Sequence, residues 1–377
     1  QGLGEVDKCA WVCRHYAEHA EEILADEAIE AGRTRSYVAY RPLGVVLAVM
    51  PWNFPLWQVY RFLAPALMAG NGGLLKHASN VTGCSLRIDR LVVEAGFPDG
   101  LFRSLVLPSS RVGEVLDHSG VVAATLTGSE PAGRAVAAKA GSLLKKTVLE
   151  LGGSDPYLVL ADADLQQSAA ACATSRLING GQSCIAAKRF IVEAPVVEEF
   201  TELLAAEMAQ AVMGDPRDPS TTLGPMARVD LRDDLHDQVE RSVGAGARAM
   251  MGGVVPEGDG AFYLPTLLAG VTEGMAAYHE ETFGPVAAVI AANDLDDAVR
   301  IANDTEFGLG AAIFTADAEL GERTARDRLQ AGACFVNAFV ASDPRLPFGG
   351  IKMSGYGREL SDLGIREFLN AKTVVVA

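Results

Sequence analysis

The sequence predicts an α/β fold with largely parallel sheet, and three observations support this class. Helical patterns alternate with short segments rich in β-branched and apolar side chains, which is typical of strands joined by crossover helices. The composition is that of a globular protein, with 49% hydrophobic and 21% charged residues. The length of 377 residues exceeds what one hydrophobic core usually holds, so more than one domain is expected.

The first half of the chain begins with a long, acidic, amphipathic helix predicted over 5–31. Segment 35–50 is rich in β-branched residues and is interpreted as strands around a turn at Arg41 and Pro42. The following predicted elements are a helix at 59–71, a buried strand in "GLLKHAS", a helix in "VTGCSLRIDRLVVEAG", a strand at 121–126 and a helix in "RAVAAKAGS". Residues 145–160 are predicted to form two strands around a Gly-Gly break.

The second half repeats the alternation. Helices are predicted at 164–178, 195–213, 228–245, 294–303 and 317–331, and strands in "AKRFIVE" and near 286–291, 310–315 and 333–337. The tail "NAKTVVVA" is predicted to be a further strand.

Charge and cysteine content limit the possible partners and the compartment. A formal net charge of −16 would repel a phosphate backbone, so a nucleic-acid partner is not expected. No apolar segment reaches the roughly 18 residues of a membrane-spanning helix, so no membrane association is expected. The six cysteines are scattered without metal-ligand spacing. We therefore expect reduced thiols, a cytoplasmic location and no metal site.

Two segments of the first half carry groups that could bind a ligand. In "PWNFP" (51–55) two prolines enclose Asn53, which could donate a hydrogen bond to an oxyanion or cap the next helix. In "TLTGSEPAG" a strand leads directly into Gly128 and Ser129 and then a helix. Such a turn lets a pyrophosphate approach a helix N-terminus, although the G-x-G-x-x-G pattern is absent.

Two carboxylates and one glycine-rich loop are further candidates. Glu150 lies in an apolar strand segment, "LELGG" (149–153), where it could act as a general base or cap backbone amides. Glu281 in "EETFGP" (280–285) could accept hydrogen bonds from ribose hydroxyls or be an ordinary loop residue. The loop "LPFGGIKMSGYGRE" (346–359) is suited to close approach to another group.

Cys184 lies in "NGGQSCIAAKR" (179–189), between a Gly-Gly pair and small apolar residues. Taken alone, such a cysteine is most often a small buried side chain. The alternative is a nucleophilic thiolate.

Together, "PWNFP", "LELGG", "GGQSC", "EETFGP" and "PFGG…SG" resemble, in this order, the motifs of the aldehyde dehydrogenase superfamily, the NAD(P)-dependent, non-phosphorylating enzymes. The resemblance extends over essentially the whole chain. It implies oxidation of an aldehyde to a carboxylic acid through a thiohemiacetal and a thioester on Cys184. It also implies that Asn53 and the Cys184 N–H hold the oxyanion and that Glu150 activates the hydrolytic water.

The resemblance also implies a cofactor site for NADP or NAD. Lys76 matches the lysine at the adenosine ribose, and Glu281 the glutamate at the nicotinamide ribose. Gly128 and Ser129 match the pyrophosphate turn, and Trp52 and Phe283 match residues that enclose the cofactor. NAD-preferring members often carry glutamate at the position of Ser79, so serine there predicts that NADP is accepted.

Within the family, "DPRLPFGGIKMSGYGREL" and "GGQSCIAAKRF" look most like the bacterial enzymes that oxidise succinate semialdehyde. The substrate carboxylate then requires a cation, for which Arg61 is the first candidate and Arg345 and Arg176 are further ones. Arg61 could equally be an ordinary charge on a helix surface. Phe348 matches an aromatic residue of the substrate tunnel. Ile178 and Ala186 depart from relatives that carry a second substrate arginine or a second cysteine there.

The resemblance predicts three parts. A Rossmann-type cofactor domain comprises 1–32 and 48–152, a catalytic domain 153–355, and a small β oligomerisation element 33–47 and 356–377. A homodimer or homotetramer is expected. Family members are usually longer, so the N-terminal part of the cofactor domain is expected to be missing. The alternatives are oxidation of another small aldehyde, ester hydrolysis by the same cysteine, or an inactive or structural member.

Overall fold

The computed structural model describes residues 2–377, which pack into two compact units. The first unit consists of residues up to Leu151, Ser342–Gly349 and Gly355–Ala377, and the second of Gly152–Ala341 and Gly350–Ser354. The α/β class is confirmed. The three-part functional division stays a prediction.

The α-helices are, in chain order, α1 (Gly2–Ile23), α2 (Trp57–Met68), α3 (Thr82–Glu94), α4 (Val112–Asp117), α5 (Glu130–Ser142), α6 (Leu165–Leu177), α7 (Val197–Met208), α8 (Val229–Gly244), α9 (Ala276–His279), α10 (Leu295–Asn303), α11 (Ala318–Asp327) and α12 (Ser361–Arg366). The β-strands are β1 (Glu27–Ala28), β2 (Arg35–Pro42), β3 (Val45–Met50), β4 (Gly72–His77), β5 (Phe102–Ser104), β6 (Val121–Thr127), β7 (Lys146–Glu150), β8 (Pro156–Val159), β9 (Arg189–Glu193), β10 (Arg248–Met251), β11 (Thr266–Ala269), β12 (Val286–Ala292), β13 (Gly310–Phe314), β14 (Ala333–Val336), β15 (Gly355–Tyr356) and β16 (Leu369–Val376).

The first unit contains a six-stranded sheet of order β15-β7-β6-β3-β4-β5. The pairs from β7 to β5 are parallel, and β15 joins antiparallel to β7. Side chains of β3 alternate between two cores: Val46 packs in the core that contains Phe62 of α2, and Leu47 in the core that contains Leu116 of α4. Helices therefore cover both faces, as a parallel sheet requires.

A three-stranded sheet of order β1-β2-β16 also belongs to the first unit. The C-terminal strand β16 runs antiparallel to β2 along its whole length, from Leu369 opposite Pro42 to Val376 opposite Arg35. The predicted helix over 5–31 is wrong at its C-terminal end, because α1 ends at Ile23 and Glu27 instead pairs with Val38 of β2. Arg41 and Pro42 lie inside β2 rather than in the turn.

The second unit contains a seven-stranded sheet of order β10-β11-β12-β9-β8-β13-β14, parallel except at β10. Phe190 of β9 packs with Phe200 of α7, whereas its neighbour Ile191 packs on the opposite face with Leu235 of α8. Among the described residues, no helix is long and apolar enough to cross a membrane.

Candidate active site

In the first unit, the predicted residues collect at one edge of the six-stranded sheet. Asn53 follows β3, Lys76 lies near the end of β4, Gly128 follows β6, and Glu150 ends β7. Because these strands are parallel, their carboxyl ends lie at the same edge, where open α/β sheets bind ligands. The parallel order of the strands therefore explains why residues from separate motifs along the chain lie at one edge of the sheet.

The turn that carries Asn53 is held by two residues that sequence reasoning did not identify. Glu5 of α1 accepts hydrogen bonds from the backbone N–H groups of Leu56 (2.7 Å) and Trp57 (2.8 Å), at the start of α2. The buried His77 lies at the other side of the turn, with Nε2 2.9 Å from the Pro55 carbonyl oxygen.

His77 acts as a neutral donor in this bracing. In the neutral ring with its proton on Nε2, His77 donates to the Pro55 carbonyl oxygen at 2.9 Å. Its Nδ1 lies 3.0 Å from the Ala78 nitrogen and 3.2 Å from the Met50 carbonyl oxygen, and the Ala78 N–H is shared between these two acceptors. Burial lowers the pKa of His77, more than the neighbouring Pro55 and Met50 carbonyl oxygens raise it. The neutral imidazole therefore fits the contacts that it makes.

A pocket of about 240 Å³ lies beside β4 and is lined by the hydroxyl residues Ser79, Thr82 and Ser85 and by the segment 105–108. Lys76 is mostly buried, and its Nζ donates to Ser109 Oγ at 2.9 Å. Burial lowers the pKa of Lys76. A lysine and several hydroxyls suit a nucleotide ribose and its phosphate, so this part of the first unit fits the predicted cofactor.

Gly128 and Ser129 form the turn between β6 and α5. Ser129 is the N-cap residue of α5, a helix of 13 residues, and its hydroxyl makes no capping hydrogen bond. Gly128 N–H donates to the Glu150 carbonyl oxygen at 3.0 Å, which ties this turn to the end of β7. A helix N-terminus preceded by small residues matches the predicted pyrophosphate turn.

Glu150 is 2% exposed, and the glycine-rich loop predicted to approach another group packs against its side chain. A Cβ on Gly349 would lie 2.7 Å from Glu150 Oε1 and 2.8 Å from the Gly357 carbonyl oxygen. Only glycine fits there without displacing the carboxylate. The group that this loop approaches closely is therefore the Glu150 carboxylate.

The predicted substrate residues of the first unit differ in their surroundings. Arg61 is 1% exposed, forms an ion pair with Glu359 and stacks 4.4 Å above the centre of the Phe348 ring. It is therefore not an exposed charge on a helix surface. Arg345 is exposed and pairs with Asp343 at 2.5 Å, and this hydrogen-bonded partner raises its pKa.

In the second unit, three motifs converge at the amino ends of parallel strands. The "GGQSC" loop precedes β9, Gly152 and Gly153 precede β8, and Glu281 precedes β12. A Cβ on Gly153 would lie 2.7 Å from the Cys184 carbonyl oxygen, and one on Gly152 would overlap Glu281 Oε2. A Cβ on Gly181 would overlap the Gly284 carbonyl. Close backbone packing therefore requires glycine at 153 and 181, and the Glu281 side chain occupies the space beside Gly152.

Cys184 differs from the buried cysteine of the same unit. Cys184 is half-buried in the loop between α6 and β9, whereas Cys172 is fully buried in the core against α7. Burial raises the pKa of Cys172 well above its usual range, which makes it an inert thiol. The environment of Cys184 thus matches a reactive thiol better than a core residue.

A buried lysine connects the cysteine loop to Glu281. Lys188 is 1% exposed, and its Nζ donates to the carbonyl oxygens of Ser183 (3.1 Å) and Cys184 (2.7 Å). The same Nζ lies 3.4 Å from Glu281 Oε1, which also accepts from Gly153 N–H at 3.0 Å. Burial lowers the pKa of Lys188, while Glu281 and Asp155 raise it.

Arg176 is the second buried cation of this loop. Its Nη2 donates to the Gly181 carbonyl oxygen at 2.6 Å. Burial lowers the pKa of Arg176 to about 9, although Glu281 and Asp155 raise it. Its contact is with the protein's own backbone, so it holds the loop. In residues 2–377, no group of acidic, histidine and cysteine side chains could hold a metal ion.

Comparison with known proteins finds a matching family and relatives that are similar over nearly the whole chain. The family model described as "Aldehyde dehydrogenase family" matches residues 1–374. A "Probable succinate-semialdehyde dehydrogenase [NADP(+)]" of Synechocystis is 51% identical over 377 residues, which is all of this chain and 83% of the relative. The "Succinate-semialdehyde dehydrogenase [NADP(+)]" of Mycobacterium avium is 52% identical over 98% of this chain and 79% of that protein.

A solved structure of a protein with a related name has the same fold. The succinic semialdehyde dehydrogenase of Streptococcus pyogenes, in complex with NADP+, superimposes with a TM-score of 0.97 at 40% identity. The match covers 99% of this chain and 82% of that one.

Proposed function

The chain belongs to the aldehyde dehydrogenase family, as an enzyme that oxidises an aldehyde with NADP or NAD, and we propose that its substrate is succinate semialdehyde. The observation that carries the substrate is the identity of 51–52% with relatives named for this aldehyde, over nearly the whole chain. The product is then succinate.

In the proposed mechanism, the Cys184 thiolate attacks the aldehyde carbon and forms a carbon–sulfur bond. The Asn53 amide and the Cys184 N–H donate to the oxygen, which becomes the oxyanion of a thiohemiacetal. A nicotinamide cofactor held by the groups around Lys76, Gly128, Ser129 and Glu281 would supply the acceptor for the hydride, and a thioester would then remain on Cys184. Glu150 takes a proton from water, the water attacks the thioester, and the acid leaves as the thiol re-forms.

The position of Glu150 supports its role as the base. It ends β7 at the edge of the sheet where Asn53, Lys76 and Gly128 also lie. The carboxylate must not react with the thiohemiacetal before the hydride has been transferred, so we expect the Glu150 side chain to change position between the two steps.

For the cofactor we propose a preference for NADP. The relatives at 51–52% identity carry NADP(+) in their names. Serine at position 79 adds no negative charge to a pocket already lined by hydroxyls. Lys76 donates to Ser109, the residue that follows Pro108 of the pocket lining. A 2′-phosphate would be repelled by glutamate there and is not repelled by serine.

We further propose a homodimer or homotetramer. In the described chain, β16 is an edge strand of the three-stranded sheet, and most of its residues are exposed. Val375 and Val376 are 54% and 41% exposed. An exposed apolar edge strand is a template for pairing with a second copy. Sedimentation equilibrium should give two or four times the chain mass, and a monomer would contradict this proposal.

The proposed reaction is tested by the appearance of NADPH. The purified chain should oxidise succinate semialdehyde with a higher kcat/KM than butanal, which has the same chain length and no carboxylate. Cys184→Ser should abolish turnover of both aldehydes. A higher kcat/KM for butanal would contradict succinate semialdehyde as the substrate. Full activity of the serine variant would contradict Cys184 as the nucleophile.

A further inference from the structure

Lys188 lies in the interior of the second unit, directly behind the peptide that joins Ser183 to Cys184. The ammonium group has three N–H donors, and three acceptors surround it: the Ser183 carbonyl, the Cys184 carbonyl and Glu281 Oε1. Taking an ammonium out of water is unfavourable unless it is paired and hydrogen-bonded. Here two carbonyl oxygens accept hydrogen bonds from the ammonium and Glu281 pairs with it at 3.4 Å, so the geometry places a paired cation against two loop carbonyls.

The position of Lys188 determines the direction in which the Cys184 N–H points. The chain has no cis peptide bond in its described residues, and in a trans peptide the C=O and N–H of one plane point in opposite directions. The Ser183 carbonyl oxygen and the Cys184 N–H belong to the same peptide. Since that oxygen points to the buried Lys188, the Cys184 N–H points to the other side of the plane.

The same contact strengthens that N–H as a donor. A cation at a carbonyl oxygen draws electrons toward the oxygen and makes the amide N–H more positive. Inside a protein, hydrogen-bonded groups polarise one another more than in water. The interaction acts through one peptide plane and needs no movement of the chain during reaction.

We propose that Lys188 is a positioning residue that polarises the Ser183–Cys184 peptide and so improves the Cys184 N–H as a donor to the oxyanion. This inference rests on the proposed role of Cys184 as nucleophile. Lys188 is 1% exposed, so it would act through the loop and not by contact with substrate or cofactor. Its second contact is with Glu281 Oε1, which also accepts from Gly153 N–H, and this contact helps to hold the ammonium in place.

The test separates reactions that form an oxyanion from one that does not. Hydrolysis of p-nitrophenyl acetate without cofactor passes through a tetrahedral oxyanion, formed when the thiolate adds to the ester carbonyl and before p-nitrophenolate leaves. Alkylation by iodoacetamide displaces iodide from an sp³ carbon and forms no oxyanion. Both reactions use Cys184, so their ratio reports the oxyanion site rather than the thiol.

In Lys188→Met we expect kcat for ester hydrolysis to fall about 10- to 100-fold, somewhat less than the loss of an oxyanion donor itself. The alkylation rate of Cys184 and its pH profile should stay close to those of the unsubstituted enzyme. Lys188→Gln should show the same selective loss, because glutamine can donate to one carbonyl but carries no charge. Lys188→Arg should recover part of the loss, since it retains the cation.

The control substitution is Lys139→Met, which removes a lysine of α5 that pairs with Asp117 on the surface and should change neither reaction. Ester hydrolysis unchanged in both Lys188→Met and Lys188→Gln would overturn the proposal. A parallel loss of alkylation would also overturn it, because Lys188 would then act on the thiol or on loop folding. If Cys184→Ser retains both reactions, the proposed nucleophile itself fails, which is a separate outcome.

Discussion

The guanidinium of Arg61 and the carboxylate of Glu359 form an ion pair in the interior of the first unit, where their side chains are only 2% and 5% exposed. Thr127 Oγ1 accepts from Arg61 Nη2 at 3.3 Å, and the Phe348 ring covers one face of the guanidinium. Arg61 therefore already has a carboxylate partner. A substrate carboxylate bound by Arg61 would share it with Glu359, so the two carboxylates should compete.

This competition predicts opposite effects of two substitutions on KM. Glu359→Gln removes the competing charge and should lower KM for succinate semialdehyde. Arg61→Lys keeps a cation beside Glu359 but loses the guanidinium contacts, and should raise KM by about tenfold, the value of one charge-assisted hydrogen bond. Neither change should affect KM for butanal, which has no carboxylate. Steady-state kinetics on both aldehydes provides the measurement.

Lysine is chosen over alanine because Arg61→Ala would leave Glu359 buried without its cation, a loss of about 3–5 kcal/mol in stability. Equal changes in KM for butanal and succinate semialdehyde would show that Arg61 does not bind the substrate carboxylate.

The cofactor preference is predicted to depend on position 79. Ser79→Glu places a carboxylate in the pocket that Ser79 lines with Thr82 and Ser85. It should lower kcat/KM for NADP by about 10- to 100-fold, since juxtaposed like charges are strongly unfavourable in a partly buried site. The value for NAD should stay constant or rise. Ser79→Ala removes the hydroxyl without adding charge and should leave the ratio of the two cofactors nearly unchanged.

The alternation of elements and the edge positions of the motifs could be predicted from sequence because they depend on local patterns. The strands β3, β6, β9, β12 and β13 all lie where apolar, β-branched segments predicted them. The short strands β5 and β11 were missed, because three or four residues carry no periodicity. The end of α1 was misplaced because strand pairing of Glu27 with Val38 overrides an acidic, helix-favouring segment.

The site residues could be predicted because they belong to family motifs, whereas the residues that hold them in position could not be predicted. Lys188 and His77 are ordinary residues in the sequence, and their importance depends on which carbonyls the fold places beside them. Glu5 contacts Leu56, 51 residues further along the chain. Hydrogen bonds over such separations leave no local pattern, so only the structure reveals them.

Asp155 predicts a pH dependence of stability in the second unit. Burial raises its pKa from 3.8 to about 6, although Lys188, the Gly310 N–H and Arg189 lower it, and Glu281 raises it further. The folded state thus keeps a proton that the unfolded chain loses. The resulting stabilisation is complete below the unfolded pKa and is lost as the pH rises through about 6.

Relative to Asp155→Asn, the free energy of unfolding of the unsubstituted protein should fall by about 1.4 kcal/mol per pH unit between the two pKa values. Asparagine can still accept from the Gly310 N–H, so that contact is kept. Urea unfolding of both proteins across this interval measures the slope. Asp215→Asn is the control, because its hydrogen bonds with Arg217 lower the pKa of Asp215 and it titrates below the interval. A difference that is independent of pH would contradict the assignment.

The last prediction concerns Glu5 as the cap of α2. The N-cap residue Leu56 has no side-chain acceptor of its own, and Glu5 Oε1 accepts from both Leu56 N–H and Trp57 N–H. A carboxylate at a helix N-terminus is stabilised by the hydrogen bonds and by the helix dipole. Glu5→Ala should therefore reduce the free energy of unfolding by about 1–2 kcal/mol. Glu5→Gln, which keeps an acceptor oxygen without the charge, should lose less.

Because α2 directly follows the turn that carries Asn53, loss of this cap should also disturb the proposed oxyanion donor. We expect kcat of Glu5→Ala to fall while KM for NADP stays the same, since the pocket beside β4 does not include Glu5. Glu22→Ala, an exposed position on the same helix, is the matched control and should alter neither stability nor kcat. Equal stability losses at positions 5 and 22 would show that α1 helicity, rather than the cap on α2, is responsible.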